Sequence, residues 1–164
     1  MSSTLSSSST MTTTNLQSLA SSATAGWTCT AVDNTSTAYD DAEVQFCFDP
    51  ANTSPANSKG FYIFVWGADN TGDYPTTGAA TGGGTGTEGA LTFSDVTTTP
   101  TNLKQADFVN YQNADVVQKF SVVSVIRALG VARLPAYWGV AVVNHSGAAL
   151  ASSGNTVKWR GVTY

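Results

Sequence analysis

The feature that most constrains this fold is an alternation of apolar with other residues in short segments. In EVQFCFD, residues 43–49, the apolar side chains Val44, Phe46 and Phe48 occupy every second position. A two-residue period places them on one face of a β-strand, whereas an α-helix needs a spacing of three or four. Similar segments recur along the chain, separated by Gly, Asn and Ser. The pattern predicts an all-β, antiparallel β-sandwich of jelly-roll type.

One predicted strand stands out because it is apolar on both faces. In KGFYIFVWGAD, residues 59–69, Phe61, Ile63 and Val65 alternate with Tyr62, Phe64 and Trp66. We expect this strand to be central in its sheet, or to meet another chain on one face. Tight reversals are predicted at 144–147 and 152–155. The predicted strands span 26–32, 43–49, 60–68, 90–95, 105–111, 115–121, 137–144, 148–152 and 156–163.

The segment 121–130 fits two structures. Ser121 is suited to cap a helix over residues 122–129, and Gly130 is suited to end it. The β-branched residues of the same segment favour an extension of the strand over 115–121. Both alternatives stay open.

Residues 1–25 differ from the rest of the chain in composition. Ser and Thr dominate this segment, and Asp33 is the first acidic or basic side chain. With so few apolar residues, we predict a flexible arm over 1–25 and a sandwich domain over 26–164. The arm either stays disordered or becomes ordered on a partner, and its deletion is expected to leave the fold intact.

The composition of the chain argues against a nucleic-acid-binding protein and against a membrane-spanning protein. Seven Lys and Arg side chains against eleven Asp and Glu give a formal net charge of −4. A chain of this charge is poorly suited to follow nucleic-acid phosphates. It also contains no apolar run of membrane-spanning length. We therefore expect neither nucleic acid nor membrane as a partner.

The chemistry-bearing residues form no convincing reaction centre. Residues 84–89 match G-x-G-x-x-G, but a Gly-rich coil precedes them and a predicted strand follows, which is the wrong context for a dinucleotide. His145, the only histidine, lies in a predicted turn, and the carboxylates near Asp40 and Asp69 are predicted to serve turns as well. We expect no catalytic residue, no bound metal and no cofactor.

The two cysteines are predicted to be free thiols. Cys29 shares a face with Trp27 and is expected to point inward, whereas Cys47 lies on the polar side of its strand. Thiols on opposite faces do not reach disulfide geometry easily. With no recognisable secretory signal, we expect a reducing compartment.

Two stretches of the chain resemble small virion structural proteins of tailed bacteriophages. The resemblance lies in residues 62–69, where a strand runs into a turn, and in residues 119–162. The matching pattern in the second stretch is Phe120-Ser121-Val122, Gly130, Leu134-Pro135, Trp138-Gly139-Val140, Asn144, Ser146-Gly147, Leu150, Gly154-Asn155 and Gly161-Val162. The resemblance implies a β-sandwich without enzymatic activity, often a capsid decoration or cement protein and sometimes a tail component.

We therefore expect a capsid decoration protein that is made in the host cytoplasm and binds the major capsid protein on the virion surface as a homo-oligomer. One alternative is a tail or fibre component that contacts a host receptor through the loop 69–89. Another is a carbohydrate-binding module that stacks sugars on aromatic side chains. The predicted contact residues are Leu5, Met11, Leu16 and Leu19 of the arm and Tyr62, Phe64 and Trp66 of the central strand.

Overall fold

The computed structural model describes residues 3–51, 59–71, 74, 80–81, 86–93, 103–111, 117–122 and 124–164. Within these residues, twelve strands and one short helix form two antiparallel sheets, so the predicted all-β sandwich is confirmed. The jelly-roll connectivity stays a prediction. In chain order the elements are β1 (Thr4–Leu5), β2 (Ser9–Thr10), β3 (Ala25–Thr28), β4 (Val32–Asp33), β5 (Asp41–Phe48), β6 (Gly60–Ala68), β7 (Ala80–Thr81), β8 (Gly89–Phe93), β9 (Lys104–Asn110), β10 (Gln118–Val122), α1 (Val125–Leu129), β11 (Tyr137–His145) and β12 (Thr156–Thr163).

The two sheets differ in size. The five-stranded sheet has the order β1-β12-β5-β10, and β2 also pairs with β12. The seven-stranded sheet has the order β7-β8-β3-β11-β6-β9, and β4 also pairs with β11. The longest pairing joins β6 to β11 over nine residues, from Tyr137 opposite Ala68 to His145 opposite Gly60.

The core between the sheets is built from the side chains that the alternation predicted to point inward. Phe46 and Phe48 of β5 are fully buried, as are Phe61 and Ile63 of β6. The rings of Phe48 and Phe61 meet edge to face across the two sheets, with centroids 4.9 Å apart. Such a contact adds to the burial of apolar area that holds the sheets together.

Strand β6 is buried on its second face too. Phe64 and Trp66 point away from the other sheet, yet they are 0% and 2% exposed. Phe93 of β8 lies over this face with its ring centroid 5.5 Å from that of Phe64, and Tyr74 contacts Trp66 edge to face. The expectation that β6 is a central strand is therefore confirmed. Its second face is covered within the same chain.

The N-terminal segment is not a free arm over its whole length. Met11 and Leu16 are buried in the core at 6% and 0% exposure. Three hydrogen bonds join Gln17 and Asn155: Gln17 Nε2 donates to the Asn155 carbonyl at 2.8 Å, and the Asn155 amide and Nδ2 donate to Gln17 Oε1 at 3.2 and 2.9 Å. Asn144 Nδ2 also donates to the Leu19 carbonyl at 2.9 Å. Residues 11–25 are thus fixed to the turns between β11 and β12, and the predicted boundary at residue 25 does not match the packing.

Residues 3–10 are held differently. They pair with the edge of β12 through β1 and β2, but all are exposed except Ser6, which is half-buried. None of their side chains enters the core. This outer part of the predicted arm is attached by backbone pairing and by one side-chain hydrogen bond, which Ser6 Oγ accepts from the Gly161 amide at 2.8 Å.

The ambiguous segment 121–130 combines both predicted alternatives. The strand β10 continues to Val122, and the helix α1 starts three residues further on. The predicted cap at Ser121 is wrong, because Ser124 caps the helix by accepting a hydrogen bond from the Arg127 amide at 3.1 Å. Gly130 ends the helix as predicted, in the left-handed conformation with φ 73°.

The other predicted boundaries need smaller corrections. The strand predicted over 26–32 is split into β3 and β4, and residues 148–152 form no strand beyond a single bridge between Leu150 and Pro50. Instead, the backbone amide of Leu150 donates to the Leu19 carbonyl at 3.0 Å. The segment therefore has two partners: residues 49–51, where the Ala151 amide donates to the Asp49 carbonyl at 2.7 Å, and the N-terminal segment, which no local pattern indicates. Residues 94–95 and 115–116 of two predicted strands lie outside the described residues.

Candidate functional site

The five-stranded sheet presents one regular polar face to solvent. Over residues 43–47 of β5 and 156–160 of β12, the side chains that alternate with the core residues are exposed or half-buried, whereas Asp41 and Val162 at one end of the two strands are buried. We call this surface the outer face. Its members are Glu43, Gln45 and Cys47 of β5, Lys119 of β10, and Thr156, Lys158 and Arg160 of β12.

Register brings the members of the outer face together in rows. Arg160 lies directly opposite Glu43, Lys158 opposite Gln45, and Thr156 opposite Cys47. Side chains directly opposite each other on one face are about 5 Å apart at Cβ. The outer face is therefore a continuous surface whose side-chain positions are set by the two longest strands of this sheet.

A groove of about 420 Å³ lies at the centre of the outer face. Residues 43–45 of β5 and 158–160 of β12 line it, and Ser8 of the N-terminal segment lines it as well. Ser8 sits between β1 and β2, at the place where the pairing with β12 is interrupted. The groove is thus formed where the exposed part of the N-terminal segment meets the outer face.

One ion pair crosses the groove. Arg160 donates from Nε and Nη2 to Glu43 Oε2, each at 2.7 Å. Both side chains remain partly exposed, so this pair contributes at most about 1 kcal/mol to stability. Among the described residues, Lys119 and Lys158 have no acidic partner within ion-pair distance. The outer face therefore carries cationic groups that are available to a ligand.

A second surface feature is a row of three rings on the seven-stranded sheet. Tyr62 stands over Phe108 of the neighbouring β9, with ring centroids 4.7 Å apart, and His145 lies 6.1 Å away on the other side. All three side chains are half-buried. Phe108 was not singled out from the sequence, and His145, predicted to lie in a turn, is the last residue of β11. The alternation around Phe108 was visible, but its position beside Tyr62 depends on strand order.

The structure disperses the contact residues predicted from the sequence. Leu5 is 44% exposed, and Leu19 and Tyr62 are half-buried. Met11, Leu16, Phe64 and Trp66 are core residues, and a partner cannot reach them without opening the fold. The predicted interface of these seven residues therefore does not exist as one surface. Apolar character alone did not distinguish residues that a partner covers from residues that the chain itself covers.

Asp40 and Asp41, which lie close to the C-terminal residue Tyr164 in the folded chain, have local structural roles. Asp41 Oδ1 accepts hydrogen bonds from the Ala42 and Ile126 amides, and so ties β5 to α1. Asp40 Oδ2 accepts from the Tyr164 amide at 2.8 Å. Loss of hydration and the nearby negative charge of Asp41 raise the pKa of Tyr164. These carboxylates hold backbone segments in place, as predicted for turn residues.

Glu88 in the G-x-G-x-x-G match also has a structural role. Its Oε1 accepts from Trp27 Nε1 and from the Asn15 amide, each at 2.7 Å. A carboxylate held this way anchors the end of the Gly-rich segment to β3 and to the N-terminal segment. Gly84 and Thr85 lie outside the described residues, as does most of the loop 69–89. Within the described part of the chain, no group of three or more His, Cys, Asp and Glu side chains is placed to share a metal ion.

The two thiols are free and differ in environment. Cys29 is buried, and its Sγ accepts a hydrogen bond from the Val140 amide at 3.1 Å. Burial raises the pKa of the Cys29 thiol from 9.0 to about 12. Cys47 is half-buried on the outer face.

We expect Cys29 to make the protein less stable at alkaline pH. The unfolded thiol ionises near pH 9 and the folded thiol near pH 12, so its stabilising contribution is complete below pH 9 and is lost as the pH rises towards 12. Through this window the free energy of unfolding should fall by up to about 1.4 kcal/mol per pH unit. Urea unfolding at pH 8 and 10.5 measures the fall. Cys29→Ser keeps a hydrogen-bond acceptor and should flatten it, whereas the control Cys47→Ser should not. An equal fall in all three proteins would refute this assignment.

Comparisons with known proteins give no relatives. No protein-family model matches the chain, and no match is found among curated proteins or solved structures. Among the described residues, no helix has the length and apolar character needed to cross a membrane.

Proposed function

We propose that this chain is a non-enzymatic structural protein of a phage virion, a capsid decoration (cement) protein that binds the assembled head through the outer face. The observation that carries the proposal is the asymmetry between the two sheets. The seven-stranded sheet is covered on both sides along most of β6, whereas the five-stranded sheet leaves the outer face open. The resemblance of residues 62–69 and 119–162 to phage virion proteins supports the same function.

The outer face has the properties that such contact needs. Six of its seven side chains stand on two eight-residue strands that pair over seven positions. The backbone is therefore already ordered, and binding costs little conformational entropy. The proposed partner is the major capsid protein, and the chain is proposed to act as a homo-oligomer on the virion surface. With many copies on one lattice, modest contacts add up through avidity.

The number of copies in purified phage particles tests this proposal. A head decoration protein should be present in a number comparable with that of the major capsid protein. A handful of copies would place the chain in the tail, and its absence from particles would contradict any virion role.

A second candidate function is carbohydrate binding, and the ring row of Tyr62, Phe108 and His145 favours it. Adjacent half-buried rings provide the flat apolar surface on which sugar rings stack. A glycan array distinguishes the two candidates: binding that disappears in Tyr62→Ala and Phe108→Ala would support the carbohydrate module. The tail or fibre alternative depended on the loop 69–89, which lies largely outside the described residues.

A further inference from the structure

We propose that the groove on the outer face binds an acidic, extended segment of the partner protein, with one carboxylate held by Lys158, Gln45 and Ser8. This inference rests on the proposed function, because it names the chemistry of the partner at the same face. Three features of the surface support it: the donors in the groove, the distribution of charge over the chain, and the spacing of two lysines.

The groove contains hydrogen-bond donors that bond to no other protein group, and almost no negative charge that is not already paired. Within the part of the chain that the structure describes, the side chains of Ser8, Gln45 and Lys158 make no hydrogen bond to protein. The one carboxylate in the groove, that of Glu43, is already engaged by Arg160. An ammonium, an amide and a hydroxyl group together suit an incoming carboxylate, because charge-assisted bonds to a carboxylate are the stronger kind.

Charge is distributed unevenly over this chain. The outer face carries three of the seven Lys and Arg side chains but one of the eleven Asp and Glu. A chain with net charge −4 therefore has a local surface of opposite sign. Electrostatic complementarity of this kind favours an acidic partner and excludes a basic one.

A second lysine on the outer face, Lys119, sets the direction in which a bound segment runs from Lys158. Lys119 lies opposite Cys47, which in turn lies opposite Thr156, two residues before Lys158 on β12. From strand and residue spacings, the Cα atoms of Lys119 and Lys158 are about 12 Å apart. Carboxylates four residues apart in an extended segment are separated by about 13 Å. The two lysines thus fit a segment with acidic residues at positions i and i+4.

A short acidic protein segment fits this surface better than a nucleic acid. The three cationic groups of the outer face lie close together, whereas the chain as a whole is acidic. A long polyanion extends beyond the outer face. It then lies within one screening length, about 8 Å, of the negatively charged remainder of the molecule, which repels it. A segment of a few residues stays within the cationic surface.

Titration of the labelled protein with a synthetic peptide of ten glutamates tests the inference by NMR. We expect amide shifts at residues 43–45 and 158–160, and weaker binding in 0.5 M NaCl. Lys158→Gln should weaken binding by about three- to tenfold, and Lys119→Gln should do so to a similar extent. Lys104→Gln, at an exposed position of β9, is the matched control and should leave the affinity unchanged. A ten-glutamine peptide should not bind.

The inference is overturned by an absence of shifts on the outer face, or by an equal loss of affinity in the Lys104→Gln control. Tighter binding of a ten-nucleotide thymidine oligomer would also overturn it, by assigning the groove to phosphates. These results are distinct from failure of the proposed function. Peptide binding by a chain absent from virions would leave the groove chemistry standing and remove the virion role. If the chain is abundant in virions but does not bind the peptide, the virion role stands and the proposed groove chemistry is wrong.

Discussion

Deletion of residues 1–10 is expected to leave a folded, stable protein, whereas deletion of residues 1–25 is expected to unfold most of it. The sequence favoured a flexible arm whose complete removal leaves the fold intact. The structure divides that segment at Met11. Residues before it contribute backbone pairing along one edge, and residues after it contribute buried side chains and hydrogen bonds.

The size of the effect follows from burial. Met11 and Leu16 are almost fully buried, and each such side chain contributes about 1.5–3 kcal/mol. Their joint loss, roughly 3–6 kcal/mol, approaches the total stability of many domains, which is about 5–15 kcal/mol. Loss of Gln17 also leaves the buried side chain of Asn155 without one of its partners.

Thermal and urea unfolding of the two truncated proteins measures the difference. Point variants provide a matched control within the same segment. Leu16→Ala should cost about 2–5 kcal/mol, because it opens a cavity in the core. Leu5→Ala, at a position that is 44% exposed, should change stability by less than about 0.5 kcal/mol. Equal stability of the two truncated proteins would show that residues 11–25 are not part of the fold.

The second large effect is expected at Gly139. This residue lies in the middle of the paired region of β11, directly opposite Trp66. A Cβ atom at this position would lie 2.6 Å from Cε2 of Trp66 and 2.8 Å from Sγ of Cys29. Trp66 has little freedom to move away, because its ring is buried and its Nε1 donates to Thr28 Oγ1 at 3.1 Å. Gly139→Ala should therefore destabilise the protein by about 3 kcal/mol.

A double-mutant cycle separates the contact with Trp66 from the contact with Cys29. Trp66→Phe removes the ring atoms that approach position 139, at its own cost in stability. In that background, Gly139→Ala should cost less than half of what it costs alone. Urea unfolding of the four proteins gives the coupling energy. Additive effects would mean that the contact with Cys29 Sγ, and not the indole, requires glycine here.

The local patterns in the sequence predicted where most strands and turns lie. They did not predict which other parts of the chain pack against these elements. The alternation in residues 43–49 and 156–160 correctly separates core from outer-face side chains, because it depends only on the two-residue period of a strand. The turns at Gly147 and Gly154 are confirmed, and both glycines have positive φ values. Ser121 was a plausible cap because local sequence does not determine where pairing with β5 ends.

Long-range contacts explain what the sequence could not provide. Gln17 and Asn155 are 138 positions apart, so nothing near Gln17 indicates that its Ser- and Thr-rich surroundings are ordered. Trp66 shares a strand face with Tyr62, but only strand order and the position of Phe93 decide that this face is largely covered. Lys158 alternates with Val157 and Trp159 in the sequence, and the structure places it on the outer face. Its position beside Gln45 and Ser8, which makes the groove, required the register of three separate segments.

The central claim, that this chain decorates a phage head, is tested most directly by counting its copies in purified particles. Quantitative mass spectrometry with labelled reference peptides should compare the chain with the major capsid protein and with a tail protein of the same particles. We predict a copy number within a small factor of that of the capsid protein. A copy number that matches the tail protein would contradict head decoration, and absence of the chain from the particles would contradict a virion role altogether.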